Sequence, residues 1–211
     1  MTEYDDEPIR GLPGLLPPGE RILWQGSPDR RSLTRTAFHT RLIAYYFAAL
    51  LVIAVGFALA NGNWVGVAIT GALGIVGVVL LHLLAWGSAR TTVYTLTNRR
   101  IVMRIGMAVP KCINLPLGMI ASVDLATRAD GTGDLPLTLL GAPRLGYLAL
   151  WPHARGWKIA QPRPMLRSVP DAAAIAALVA RACLAVAPDG RIAVVDAPRP
   201  AAPAFAGAQA A

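Results

Sequence analysis

The side chains able to do chemistry are few and scattered. Three histidines (His39, His82, His153) and two cysteines (Cys112, Cys183) are the strongest nucleophiles, bases or ligands in 211 residues. No serine sits in a Gly-x-Ser-x-Gly elbow, there is no glycine-rich phosphate loop, and no two histidines have the spacing of a paired metal motif. Asp124, Asp130 and Asp134 are close in sequence, but Gly131 and Gly133 beside them make a turn the simpler reading than an acid pair. The two cysteines lack metal-ligand spacing. An active site needs a nucleophile, a base and a polarising group within reach of one another, and no such set is visible. The chain reads as a non-enzyme without a metal site.

Three constellations remain. His82 stands alone in a long uncharged run, where an ionisable side chain is costly and therefore a functional candidate. Its neutral imidazole can hydrogen-bond across helices or ligate the magnesium of a bacteriochlorophyll. Pigment-binding helices often place a small residue four before the histidine. Here that position is Val78, with Gly77 one step further back, so an interhelical bond or a wet headgroup contact is the favoured reading and no cofactor is expected. Gly66, Thr70 and Gly74 recur every fourth residue and Gly77 extends the face, which lets helix backbones approach closely. Such a face packs the helices on themselves, joins two copies or receives a client helix. Arg99, Arg100, Arg104 and Lys111 follow soon after the apolar region, and anionic headgroups attract each such residue by roughly 1 kcal/mol. Nucleic acid is the competing partner for a basic segment, but tethering to a membrane puts lipid first.

The elements that must hold these residues are dominated by one feature. From Leu42 to Ala89 no Lys, Arg, Asp or Glu occurs, and the stretch breaks once, at Asn61-Gly62-Asn63. The flanking apolar runs, 42–60 and 65–86, each suit a membrane-spanning helix of about 20 residues. Asn-Gly-Asn is turn chemistry, so 42–89 is predicted to be a transmembrane helical hairpin. Arg30, Arg31, Arg35 and Arg41 precede the first span, Arg90, Arg99, Arg100 and Arg104 follow the second, and the turn carries no charge. Positive residues near span ends stay cytoplasmic, so a multi-pass membrane protein with both termini in the cytoplasm is expected. Both cysteines then lie in a reducing compartment. The acidic opening Glu3, Asp5, Asp6, Glu7 does not resemble a signal peptide.

Residues 1–41 balance six Arg against six Asp/Glu, and the net charge of +8 arises wholly after the second span. Ile22–Gln25 suits a short strand or a membrane-surface segment, and Asp29–Arg41 an interfacial lead-in. Residues 90–187 change character. Short β-branched and aromatic runs at 91–97, 100–105, 111–115, 119–125, 137–140, 146–151 and 157–160 are separated by Gly, Pro or Asn, which predicts an antiparallel sheet or small barrel. Ala174, Ile175, Leu178, Val179 and Ala182 then follow a helical period. The Ala/Pro-rich stretch 188–211 is predicted to be a disordered tail. The fold class is an α+β membrane protein: hairpin, antiparallel β domain, closing C-terminal helix.

Two groups of residues carry a resemblance. Tyr94-Thr-Leu-Thr-Asn-Arg-Arg-Ile-Val102, Gly106, Leu115-Pro-Leu117 and Ile120-Ala-Ser-Val123 resemble the bacterial pleckstrin-homology-like (PH-like) domain, whose fold is a bent antiparallel sheet closed by a helix. Met1 to Pro17, with Gly19-Glu-Arg-Ile-Leu-Trp-Gln-Gly-Ser-Pro28, is similar to the PuhB family of photosynthetic complex assembly proteins. That resemblance implies a non-catalytic, dimeric factor acting on reaction-centre and core light-harvesting subunits in a purple bacterium. It brings no catalytic residues. A bacteriochlorophyll-handling protein using His82 and an anionic-lipid-binding module are the alternatives.

Overall fold

A computed structural model describes residues 9–107, 109–141, 146–154, 162–186 and 193–196. Strand β1 (Ile22–Gly26) comes first, as expected. Helix α1 (Arg30–Thr36) follows, capped by Asp29, whose Oδ1 accepts the Ser32 N–H at 2.7 Å. His39, in the left-handed region at φ 48° and ψ 35°, turns the chain into α2 (Thr40–Asn61). Gly62, at φ 71°, ends α2 with its N–H on the Ala58 carbonyl at 2.8 Å, as a left-handed cap does. Helix α3 (Val65–Thr91) returns antiparallel to α2 and outruns the apolar stretch by five residues.

Both α2 and α3 are long and apolar enough to cross a membrane. Their side chains are not spent on a protein core. Tyr45, Val52, Phe57, Ile69, Val76 and Leu83 are each more than half exposed. Buried contact between α3 and its surroundings concentrates at its C-terminal end, where Leu33 and Phe38 pack on Ala85 with Leu81, Leu84 and Ala89 around them.

The β domain hangs from that end. Strands β2 (Val93–Thr97), β3 (Arg100–Ile105) and β4 (Lys111–Pro116) form an antiparallel sheet with β1 on its edge, in the order β1-β2-β3-β4. Gln25 lies opposite Thr95, Val93 opposite Arg104 and Ile101 opposite Leu115. A second sheet comprises β5 (Ile120–Thr127), β6 (Gly133–Leu139), β7 (Met165–Val169) and β8 (Ala193–Asp196) in the order β7-β6-β5-β8. A short helix α4 (Tyr147–Leu150) links β6 to β7, and α5 (Ala172–Val186) closes the domain. One core joins Tyr94, Leu96 and Met103 of the first sheet to Val123 and Leu137 of the second and to Ile175, Val179 and Cys183 of α5. Each large aliphatic side chain fully buried there contributes about 1.5–3 kcal/mol.

Two apolar helices, antiparallel sheets and a C-terminal helix match the predicted order, with four differences. Residues 146–151 contain α4 rather than a strand, because a short apolar run has no periodicity to separate the two. The strand expected at 137–140 begins earlier, at Gly133. Strand β7 was not expected, since Pro164 and Arg167 disguise it. Ala193–Asp196, inside the stretch predicted to be a tail, pairs with β5 and does so in parallel, so the sheets are not wholly antiparallel. The strand expected at 157–160 and the rest of 188–211 lie outside the described residues.

Candidate functional site

A basic cleft opens where α1, α2 and α3 meet, and of the predicted site residues it takes in His82. Leu33 is buried against α3, and the rest of α1 is strongly basic, so Arg30, Arg31 and Arg35 stay exposed beside it. With Arg41 at the start of α2 and His82 of α3 they line an open cleft of about 400 Å³. Thr34 is also on its wall. His82 is exposed, and its Nδ1 lies 2.8 Å from the Val78 carbonyl oxygen. A carbonyl only accepts, so Nδ1 carries the hydrogen and Nε2 is the nitrogen left for a ligand. Of the two expected roles, the bond across helices is replaced by one within α3, between His82 and the Val78 carbonyl.

The small-residue face divides. Gly74 is buried, and a Cβ placed there would stand 3.1 Å from the Cβ of Phe47. A Cβ at Gly77 would stand 3.7 Å from Phe47 Cε2. These two glycines serve the hairpin's own packing. Thr70 lines an apolar groove of about 330 Å³ between α2 and α3, floored by Phe47, Leu51 and Gly74. Gly66 is exposed with nothing within 4 Å of an added Cβ. One seam and one open end thus replace a single continuous face.

The basic group predicted to face lipid divides too. Arg100 is held by Glu20, Nε to Oε1 at 2.9 Å and Nη2 to Oε2 at 3.1 Å, a bidentate pair joining β3 to the segment before β1. Thr97 Oγ1 donates to Glu20 Oε1 at 2.7 Å. Arg104 is 5% exposed. Arg99 and Lys111 keep their charge at the surface. Arg99 also follows the far end of β2, about 13 Å along the strand from Val93. The four therefore form no common exposed patch, because Arg100 is paired with Glu20 and Arg104 is buried, leaving Arg99 and Lys111 at the surface. Glu20 was the available signal, the only carboxylate between Glu7 and Asp29.

Residues 39–182 match the family model described as Bacterial PH domain. This chain is a member of the bacterial PH domain family. The match opens at the His39 turn and includes the hairpin, but leaves α1 and three of the four cleft arginines outside. The chain is also 35% identical over 191 residues to a relative from Rhodobacter capsulatus described as an uncharacterized 23.7 kDa protein in the puhA 5' region. The alignment covers 87% of this chain and 88% of that relative. No solved structure matches the chain.

In this bacterial PH domain protein, α1 is fastened to β7 at both ends. The Asp29 N–H donates to the Ser168 carbonyl at 2.7 Å, and Arg167 Nη2 donates to the Thr36 carbonyl at 2.9 Å. Arg167 Nη1 donates to the Pro152 carbonyl at 2.7 Å. Ser168 takes the left-handed region at φ 51° and gives its N–H to Asp134 Oδ1 at 2.7 Å, while Arg128 pairs with the other Asp134 oxygen. Burial holds the Arg167 guanidinium below its ordinary pKa, and nearby Asp134 opposes that.

His153 completes this latch. Tyr94 OH accepts the Arg167 backbone N–H at 3.1 Å, so its own hydrogen is available to His153 Nδ1 at 2.7 Å, and Nε2–H faces Thr92 Oγ1 at 3.1 Å. Every polar atom of the imidazole is used in its neutral form. Burial, with the Arg167 charge second, pushes the His153 pKa down to about 3. Burial likewise drives the Tyr94 phenol upward. Tyr94 and Arg167 had no sequence signal, and His153 and Asp134 none for this role, because the partners lie up to 131 residues apart.

Proposed function

We propose that this chain is a PuhB-type inner-membrane protein, a non-catalytic factor in assembly of the photosynthetic reaction centre and its core light-harvesting complex. The observation that carries the reading is its 35% identity, across nearly all of both chains, to a protein of the puhA 5' region in a photosynthetic purple bacterium. The geometry supports it. Helices α2 and α3 expose apolar side chains on every side, which lipid and neighbouring helices would cover. Gly66 and the groove beside Thr70 offer places for close approach by a helix of a client subunit or of a second copy. The arginines flanking the hairpin favour a topology with both termini, and the PH-like domain, on the cytoplasmic side. Deleting the gene should lower assembled core complex in membrane absorption spectra while extractable bacteriochlorophyll persists. Unchanged core-complex levels in the deletion strain reject the reading.

One observation favours a second reading, pigment handling. With His82 Nδ1 engaged by Val78, Nε2 is the lone pair that a bacteriochlorophyll magnesium takes. Pigment copurifying with the wild type and lost in His82→Ala supports it. Pigment-free protein from pigment-producing cells excludes it.

A further inference from the structure

We infer that the cleft between α1, α2 and α3 is a binding site for the phosphate of an anionic phospholipid headgroup. The inference rests on the membrane placement proposed above.

Arg30, Arg31, Arg35 and Arg41 converge on the cleft, all exposed, and among the described residues none is in an ion pair. Among the described residues no carboxylate is on its wall. Four like charges around one concavity repel each other unless an anion sits among them, and guanidinium forks match phosphate oxygens bidentately. The cluster is also preorganised. The Asp29 and Thr36 ends of α1 are tied to β7, and Leu33 and Phe38 dock it on α3, so the arginines ride on a fixed helix rather than a loose lead-in.

Depth selects the source of the phosphate. The 27 residues of α3 span about 40 Å at 1.5 Å per residue, against roughly 30 Å of hydrocarbon. If Val65 marks one boundary of the hydrocarbon, His82 lies about 25 Å along the helix, near the other. The rest of α3 and the arginines beside it then stand at headgroup level. Apolar Ala44 and Val78 flank the hairpin side of the cleft, where acyl chains would continue.

The test uses full-length protein purified in a neutral detergent and stripped of lipid. Three probes are titrated against thermal unfolding: phosphatidylglycerol, phosphatidylcholine and inorganic phosphate. Phosphatidylglycerol should raise the Tm saturably, and phosphatidylcholine should not. Arg35→Ala/Arg41→Ala should weaken the phosphatidylglycerol effect by roughly 30-fold, while Arg99→Ala leaves it intact. Arg35→Lys/Arg41→Lys keeps the charge and loses the fork, so it should bind more weakly than wild type. Equal stabilisation by inorganic phosphate would assign the cleft to a free anion and overturn the lipid source. Lysine variants equal to wild type would reduce the cleft to diffuse surface charge and overturn the built site. Alkaline carbonate extraction of membranes separates the two levels of argument. Extraction of the wild type removes the membrane reading itself, whereas a membrane-retained protein indifferent to all three probes rejects only this inference.

Discussion

A buried histidine and a buried carboxylate carry the sharpest residue-level consequences. His153 has a folded pKa of about 3 against an ordinary value of 6.5. As pH falls through 6.5 the unfolded chain gains a proton that the folded chain refuses until about pH 3, so stability is lost between those values and is fully present above them. The loss approaches roughly 1.4 kcal/mol per pH unit within that window. The Tm of the detergent-solubilised protein should therefore fall steadily below pH 6.5, and His153→Gln should flatten that slope from a lower starting stability. An unchanged slope removes His153 as its source. Glu20 presents the reverse case, since its side chain is 2% exposed and its charge depends on Arg100. Arg100→Met strands that charge and should cost about 3 kcal/mol, whereas Glu20→Leu/Arg100→Met should recover much of it. Urea unfolding of the single and double variants gives the comparison. Sequence proximity could group Arg100 with Arg99 and Arg104, but the pair with Glu20 spans 80 residues and needs the β1–β2 register to exist.

The elements were legible in proportion to how far their pattern repeats. Forty-eight residues without a charge leave few readings besides a helix pair, and α2 and α3 are where that stretch predicts them. Four residues of α4 carry no period at all, and β7 hides a guanidinium in its middle that the distant Thr36 and Pro152 carbonyls explain. The small-residue face was visible as spacing, but which of its members face inward was not. Contact with Phe47 decides that. Gly74→Val must displace a ring whose Cβ would be 3.1 Å away, and should destabilise the hairpin by about 1–3 kcal/mol. Gly66→Val meets nothing and should stay within about 0.5 kcal/mol of wild type. Thermal unfolding in detergent separates the two. A Gly66→Val protein that folds normally but fails to restore core-complex levels in the deletion strain would mark that open end as the client contact.

At the scale of the molecule the hairpin and the PH-like domain are coupled through one short helix. The seven-residue α1 packs on α3 through Leu33 and is pinned to β7 at both ends, so the arginine cleft, the hairpin and the sheets are fixed relative to one another. The sequence showed the arginines as a topology signal. It could not show them as a cleft, because the left-handed His39 turn brings Arg30–Arg41 beside His82. The coupling makes orientation measurable with the protein's own thiols. Cys112 is exposed on β4, while Cys183 is buried and burial pushes its thiol pKa up to about 11, leaving it little reactive thiolate at neutral pH. A membrane-impermeant maleimide should thus label Cys112 in inside-out vesicles and spare it in right-side-out ones. A cysteine introduced at Asn63, in the turn between α2 and α3, should behave oppositely. Labelling of Cys112 from the outside would invert the topology and carry the arginine cleft to the wrong face of the membrane. Labelling of both positions from one side would mean that the hairpin lies along the bilayer instead of crossing it.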